Sequence, residues 1–179
     1  RSFRLWPGLE RLPSDNSPQL MNTSHRITAH FTVPAGGCEG VLVKDGDIWA
    51  GYSMFVQDGE VCFRYHFPME PHEIRAKATL AAGDHVLEWE FTKTTRTGGT
   101  GVLRLDGKDV GSVEVPRMIR GWMPFNGMDV GCDNGAPVSP SYSSPFRFTG
   151  TIKWIDVELL DAKAGPDAKV HHDSEMGKQ

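Results

Sequence analysis

The chain has 179 residues, 39% hydrophobic and 23% charged, a balance that suits one folded domain and excludes wholesale disorder. Twenty glycines and twelve prolines point to many turns and no long helices. A net charge of -4 leaves no basic field for nucleic acid or an anionic membrane surface, and no apolar run reaches the roughly 18 residues of a membrane helix, so neither is expected as a partner.

The first residue is Arg1, and no signal-peptide pattern follows it, so the chain is expected to be an excised piece of a longer protein. The first strand signal is Ser24 to Val33. Ile27, Ala29, Phe31 and Val33 fall on one face, and Arg26, Thr28, His30 and Thr32 on the other, the period of a half-buried strand. Short apolar strands follow at Gly40–Val43 and Tyr52–Gln57, then Glu60–Phe67 with Val61, Phe63, Tyr65 and Phe67 on one parity. Asp58-Gly59 between two such runs is a hairpin signal, because the turn needs positive φ. His85–Phe91 sets Leu87, Trp89 and Phe91 against Glu88 and Glu90, and a second hairpin, Thr100–Leu105 with Lys108–Val115, turns on Asp106-Gly107. The last strand is expected from about Phe146 to Leu160. Its inward parity changes between Ile152 and Ile155, which predicts a β-bulge near Lys153 and Trp154.

No stretch of 11 residues has helical periodicity, and residues 92–99 and 134–145 read as polar loops. The pattern predicts an all-β fold: an antiparallel two-sheet β-sandwich over residues 23–160, with residues 1–22 as a lead-in segment and 161–179 as a polar tail. The expected core is Phe31, Val41, Phe55, Phe63, Tyr65, Leu87, Trp89, Phe91, Leu103, Leu105, Val113, Val130, Ile152 and Val157. Cys38, Cys62 and Cys132 are odd in number and widely spaced, which predicts free thiols rather than disulfides or a zinc site.

Five stretches carry a resemblance: residues 23–43 (TSHRITAHFTVPAGGCEGVLV), 50–67 (AGYSMFVQDGEVCFRYHF), 81–91 (AAGDHVLEWEF), 98–111 (GGTGVLRLDGKDVG), and 129–159 from DVGCDNGAPVS through SPFRFTGTIKWIDVEL. In this order they resemble the C-terminal domain of large bacterial arylsulfatases, and Trp6–Pro13 (WPGLERLP) looks like that domain's lead-in. The resemblance covers about residues 3–160. It implies a concanavalin A-like jelly roll that is the non-catalytic C-terminal domain of an arylsulfatase-like sulfuric ester hydrolase. Its partner would be the sulfatase catalytic domain, in cis or as a separate chain, and the parent would use calcium and formylglycine. The domain would support the catalytic domain, the substrate cleft or a homo-oligomer. Cys132 stands where that family usually has Arg, and Trp122-Met123-Pro124 departs from its pattern. With free cysteines and no signal sequence, the bacterial cytoplasm is expected ahead of the periplasm.

Sulfatase chemistry needs Cys or Ser in a C/S-x-P-x-R setting. None of the three cysteines has Pro two residues on and Arg four on, and the same spacing is expected at no serine, so the nucleophile is read as absent and no catalytic residue is assigned. Two alternatives remain open: a carbohydrate-binding, lectin-like module, and a jelly-roll glycosidase using the alternate carboxylates Glu88/Glu90 or Asp156/Glu158. Asp129, Asp133 and Asn134 form a loop of hard oxygen donors and are the candidate calcium ligands. Trp49, Tyr52, Trp122 and Phe125 are the candidate glycan or interdomain contacts. No HxH or HExxH spacing occurs, and His171-His172 lie in the tail.

Overall fold

The computed structural model describes residues 1–13, 15–20, 22–67, 70–119 and 126–161. Among them there is no helix. Six strands form one antiparallel sheet in the spatial order β1 (Ser2–Leu5), β11 (Thr151–Leu159), β2 (His25–Val33), β7 (Gly83–Lys93), β8 (Gly99–Leu105) and β9 (Lys108–Val115). Five form the other: β10 (Met128–Val130), β3 (Gly40–Gly46), β4 (Gly51–Gln57), β5 (Glu60–Phe67) and β6 (Glu70–Lys77). The fold is all-β, a two-sheet antiparallel sandwich.

Local chemistry explains most of these elements. The alternation along β2 buries Ile27, Ala29, Phe31 and Val33 and leaves the intervening residues half-exposed. Both Asp-Gly turns adopt the expected left-handed pair, φ 53° and 73° at Asp58-Gly59 and φ 50° and 77° at Asp106-Gly107. The bulge in β11 falls between Ile152 and Trp154. The strand itself starts at Thr151, later than expected. Before it, the chain crosses between segments, with Phe146 N–H donating to Asp133, Phe148 N–H to Gly131 and Thr149 N–H to Glu39 carbonyl oxygens. Residues 2–5, inside the segment read as a lead-in, pair with β11 as the sheet's edge strand.

Three strands escape the sequence pattern. β1 and β10 are four and three residues long, and β6 reads EPHEIRAK, with Pro71 and four charges on an edge strand. Charge and proline are what exposed sheet edges carry to resist pairing with other chains, and they erase the alternation.

All the expected core residues are buried except Leu105 and Val113, which are half-buried. They do not share one core. Val41 and Phe55 lie on the outer face of the five-stranded sheet, with Cys62 and Tyr142 in a second cluster. A register shift between Val41 and Val43 turns the former outward and the latter inward.

The centre of the main core is Trp89. Its ring stacks on Phe63 of the opposite sheet at 3.8 Å between centroids and 9° between planes. Its Nε1–H donates to His25 Nε2 (3.3 Å), and His25 Nδ1–H donates to the Thr23 carbonyl (2.8 Å), so these partners assign a neutral histidine. Burial lowers the His25 pKa to about 4. Space for the indole comes from Gly101 on the neighbouring strand, where an added Cβ would lie 1.8 Å from the ring.

Two outcomes are expected. Gly101→Ala destabilises by about 2–3 kcal/mol in urea unfolding, because the buried ring has nowhere to retreat. His25 contributes full stability above its unfolded pKa of 6.5, and loses it as pH falls toward about 4, since the unfolded chain takes the proton first. The stability difference between wild type and His25→Gln should therefore shrink by about 3 kcal/mol between pH 6.5 and 4, and stay flat above pH 7.

Candidate functional site

The outer face of the five-stranded sheet is built differently from that of its partner. Strand register aligns Asp129 of β10, Lys44 of β3, Ser53 of β4, Arg64 of β5 and Glu73 of β6 in one row across all five strands. Asp129, Lys44 and Ser53 are fully buried, and the loop from Cys132 to Arg147 covers them. At the open end of the row, Arg64 Nη1 donates to Glu73 (2.8 Å), and Arg75 Nε donates to Glu60 (2.8 Å). Gln57 Nε2 donates to the Ser141 carbonyl (2.9 Å), which ties the covering loop to the sheet.

At the closed end, the Lys44 ammonium has four oxygen neighbours. It donates to the carbonyls of Gly127 (3.0 Å) and Gly46 (3.3 Å), and stands 3.2 Å from Asp129 Oδ2 and 3.9 Å from Asp133 Oδ1. Both carboxylates also accept hydrogen bonds from the surrounding chain. Asp129 accepts from the Arg11 and Asn134 amides, and Asp133 from the Gly135 and Val138 amides and the Tyr142 hydroxyl (2.8 Å). The Ser53 hydroxyl lies 3.0 Å from Tyr142 Oη, completing a chain from the sheet through the loop to the cation. Next to Lys44, burial pushes the Asp45 carboxyl up to about 6. The candidate calcium ligands Asp129 and Asp133 are thus brought together around the lysine ammonium. Asn134 contributes its amide N–H to Asp129, while its Oδ1 accepts from the Cys132 thiol.

The candidate contact residues separate. Trp49 is 64% exposed at the tip of the β3–β4 hairpin, beside Ile48 at 46%. The tip is held from beneath: Asp47, itself buried, accepts from the Trp49 amide through Oδ1 (2.8 Å) and donates its own amide to the Ala50 carbonyl. Against its underside lies the buried ring of His66, the outward residue at the end of β5, whose pKa burial and Arg64 lower. Tyr52 points the other way, into the main core against Phe63. Trp122 and Phe125 lie outside the described residues, as do His171 and His172.

The carboxylate pairs lie on the outer face of the six-stranded sheet, and each is engaged by arginine. Arg26 binds Glu90 and Glu158, Arg104 binds Glu88 and Asp109, and Arg4 holds Asp156 through two hydrogen bonds of 2.7 and 3.0 Å. These partners hold Glu90 and Asp156 below the usual carboxylate range. A glycosidase acid needs the opposite shift. The sequence expectation about serine needs one correction: Ser143-Ser144-Pro145-Phe146-Arg147 does have Ser-x-Pro-x-Arg spacing. Ser143 is exposed on the covering loop, Arg147 reaches toward Glu10, and among the described residues no group of three or more His, Cys, Asp or Glu assembles beside it.

No family model and no curated protein matches the chain. Solved structures do match in fold. A CBM40 module of the Ruminococcus gnavus IT-sialidase, solved bound to α2,6-sialyllactose, has a TM-score of 0.60 at 10% identity over 96% of this chain and 97% of that one. The leech intramolecular trans-sialidase has a TM-score of 0.62 at 9% identity, over 93% of this chain and 26% of that enzyme. Domains LG4–5 of the mouse laminin α1 chain reach 0.54 at 15% identity, over 90% of this chain and 45% of that one. These likenesses establish a lectin-type jelly roll. They also correct the arylsulfatase expectation and the sulfatase catalytic partner it implied, since these neighbours are sialidase and laminin modules rather than sulfatase C-terminal domains. The physical reason is that the five stretches are strands and tight turns of the sandwich, which constrain fold far more than function.

The sequence reading missed Lys44, Arg64, Glu73 and Tyr142. A signal was present: Tyr52 to Val56 runs with little polar alternation, as a strand covered on both faces does. Tyr142→Phe is expected to cost about 1–3 kcal/mol in denaturant unfolding, because Asp133 and Ser53 each lose a buried partner.

Proposed function

We propose that this chain is a carbohydrate-binding, lectin-like module without catalytic activity of its own, which meets its glycan at the β3–β4 tip with Trp49 as the stacking platform. The observation that carries this reading is the display of Trp49. A large aromatic ring stands in solvent on a turn fixed by a buried aspartate, at one end of the sheet whose outer face carries Arg64 and Glu73 farther along β5 and β6. A rigid indole face suits the apolar face of a sugar ring and loses little entropy on binding, while planar guanidinium and carboxylate groups suit hydroxyls. The fold likeness to a carbohydrate-binding module extends over nearly the whole of both chains, which supports the class of ligand and leaves the particular sugar to experiment. The arginine-paired carboxylates on the opposite face favour binding over hydrolysis.

Screening the full chain on a glycan array, followed by calorimetry on the best ligand, tests the reading. Trp49→Ala is expected to weaken binding roughly tenfold, about 1.4 kcal/mol, with an unchanged melting temperature because the ring packs on little of the protein. Silence across the array, or undiminished binding by the variant, removes the proposal.

A further inference from the structure

We propose that the rim of the five-stranded sheet contains a hard-cation cage whose cation is the Lys44 ammonium, supplied in cis, and that calcium enters this cage only when the ammonium is removed. The inference is independent of which ligand the module binds.

A buried ammonium is costly to desolvate unless its surroundings are built for positive charge. Among the described residues, its hydrogen-bond and ion-pair partners are two main-chain carbonyls, Gly46 and Gly127, and two carboxylates, Asp129 and Asp133. That donor set, carboxylates mixed with backbone carbonyls on loops, is the chemistry that hard divalent cations select. The charge count agrees. Two buried carboxylates around one ammonium leave a formal charge of -1, which the amides of Arg11, Asn134, Gly135 and Val138 and the Tyr142 hydroxyl compensate only as dipoles. A dication would bring the cage to neutrality.

The geometry also says what the cation does. Gly46 ends β3, Gly127 precedes β10, Asp129 lies within β10, and Asp133 opens the covering loop. One ammonium therefore ties together the β3 end, the β10 edge and the loop. Lys44 is placed for this by its register opposite Asp129, on the outer parity of β3, with its side chain wholly enclosed. Two carboxylates and two carbonyls supply four of the six to eight oxygens calcium takes, and shortening the lysine leaves room for water to supply the rest.

The test uses the full chain as wild type, Lys44→Ala, and Lys44→Ala combined with Asp129→Asn. Each is melted with millimolar calcium chloride or with EDTA, and titrated with terbium, which the ring of Tyr142 can sensitise from its place on Asp133. Wild type is expected to melt identically in both solutions and to give no saturable terbium emission. Lys44→Ala should melt lower in EDTA and gain about 5–10 °C when calcium is near a hundredfold excess over its Kd, with terbium emission that calcium displaces. The added Asp129→Asn change should abolish both responses. Where Lys44→Ala is unfolded in EDTA, folding on calcium addition supports the cage, and Lys44→Gln carries the same comparison. A calcium response in wild type, a folded Lys44→Ala or Lys44→Gln blind to calcium and terbium, or two variants unfolded under both conditions each overturns it.

Discussion

The sandwich depends on how Trp89 is held. The indole is fixed on three sides: stacked on Phe63 across the interior, hydrogen-bonded to His25, and seated on the bare backbone of Gly101. Hydrophobic burial alone is non-directional and would leave the two sheets free to slide. A parallel ring stack plus a buried hydrogen bond supplies direction, and fixes Phe63 as an inward residue of β5. Because side chains alternate along a strand, Cys62, Arg64 and His66 must then face outward. The parity set inside the core therefore decides which residues form the polar row outside it.

That row sits on a sheet that is buried on both faces for much of its width. The loop from Cys132 to Arg147 packs Tyr142 and Phe146 on Val41, Phe55 and Cys62, and its attachment is electrostatic at one end and amide-mediated at the other. The closed end of the row is dry, so its ionic interactions are strong and each lost partner is costly. Toward β6 the row becomes partly exposed, and the Arg64–Glu73 and Arg75–Glu60 pairs there are half-buried and hydrogen-bonded at 2.8 Å.

Much of the architecture is legible in the sequence, because it follows from short-range rules. Period-2 alternation places β2, β5 and β7, positive-φ dipeptides place two hairpins, and a change of parity locates the β11 bulge. The candidate site is far less legible, for two physical reasons. Tyr52 and Trp49 are equally aromatic and three residues apart, yet one faces the core and the other solvent. That difference arises from the turn closed by Asp47, which no periodicity encodes. Lys44 follows the apolar run Val41–Val43, and three of its four oxygen neighbours come from residues 127–133, which return beside β3. Interactions 83 to 89 residues apart in sequence, such as Lys44 with Gly127 and Ser53 with Tyr142, leave no local pattern.

The two outer faces divide the electrostatic work, and the division argues for where a ligand can bind. On the six-stranded sheet, arginines 4, 26 and 104 interleave with Glu88, Glu90, Asp156 and Glu158, so nearly every charge has a partner across the strands. A ligand there would have to break existing ion pairs and replace them in kind. At the β3–β4 tip the reverse holds. Trp49 and Ile48 present apolar surface that already sits in water, on a backbone whose ordering cost was met when the chain folded. Covering that surface releases water without breaking an ion pair. Association is most favourable where little is lost on the protein side, and among the described residues the hairpin tip meets that condition better than the ion-paired face of the six-stranded sheet.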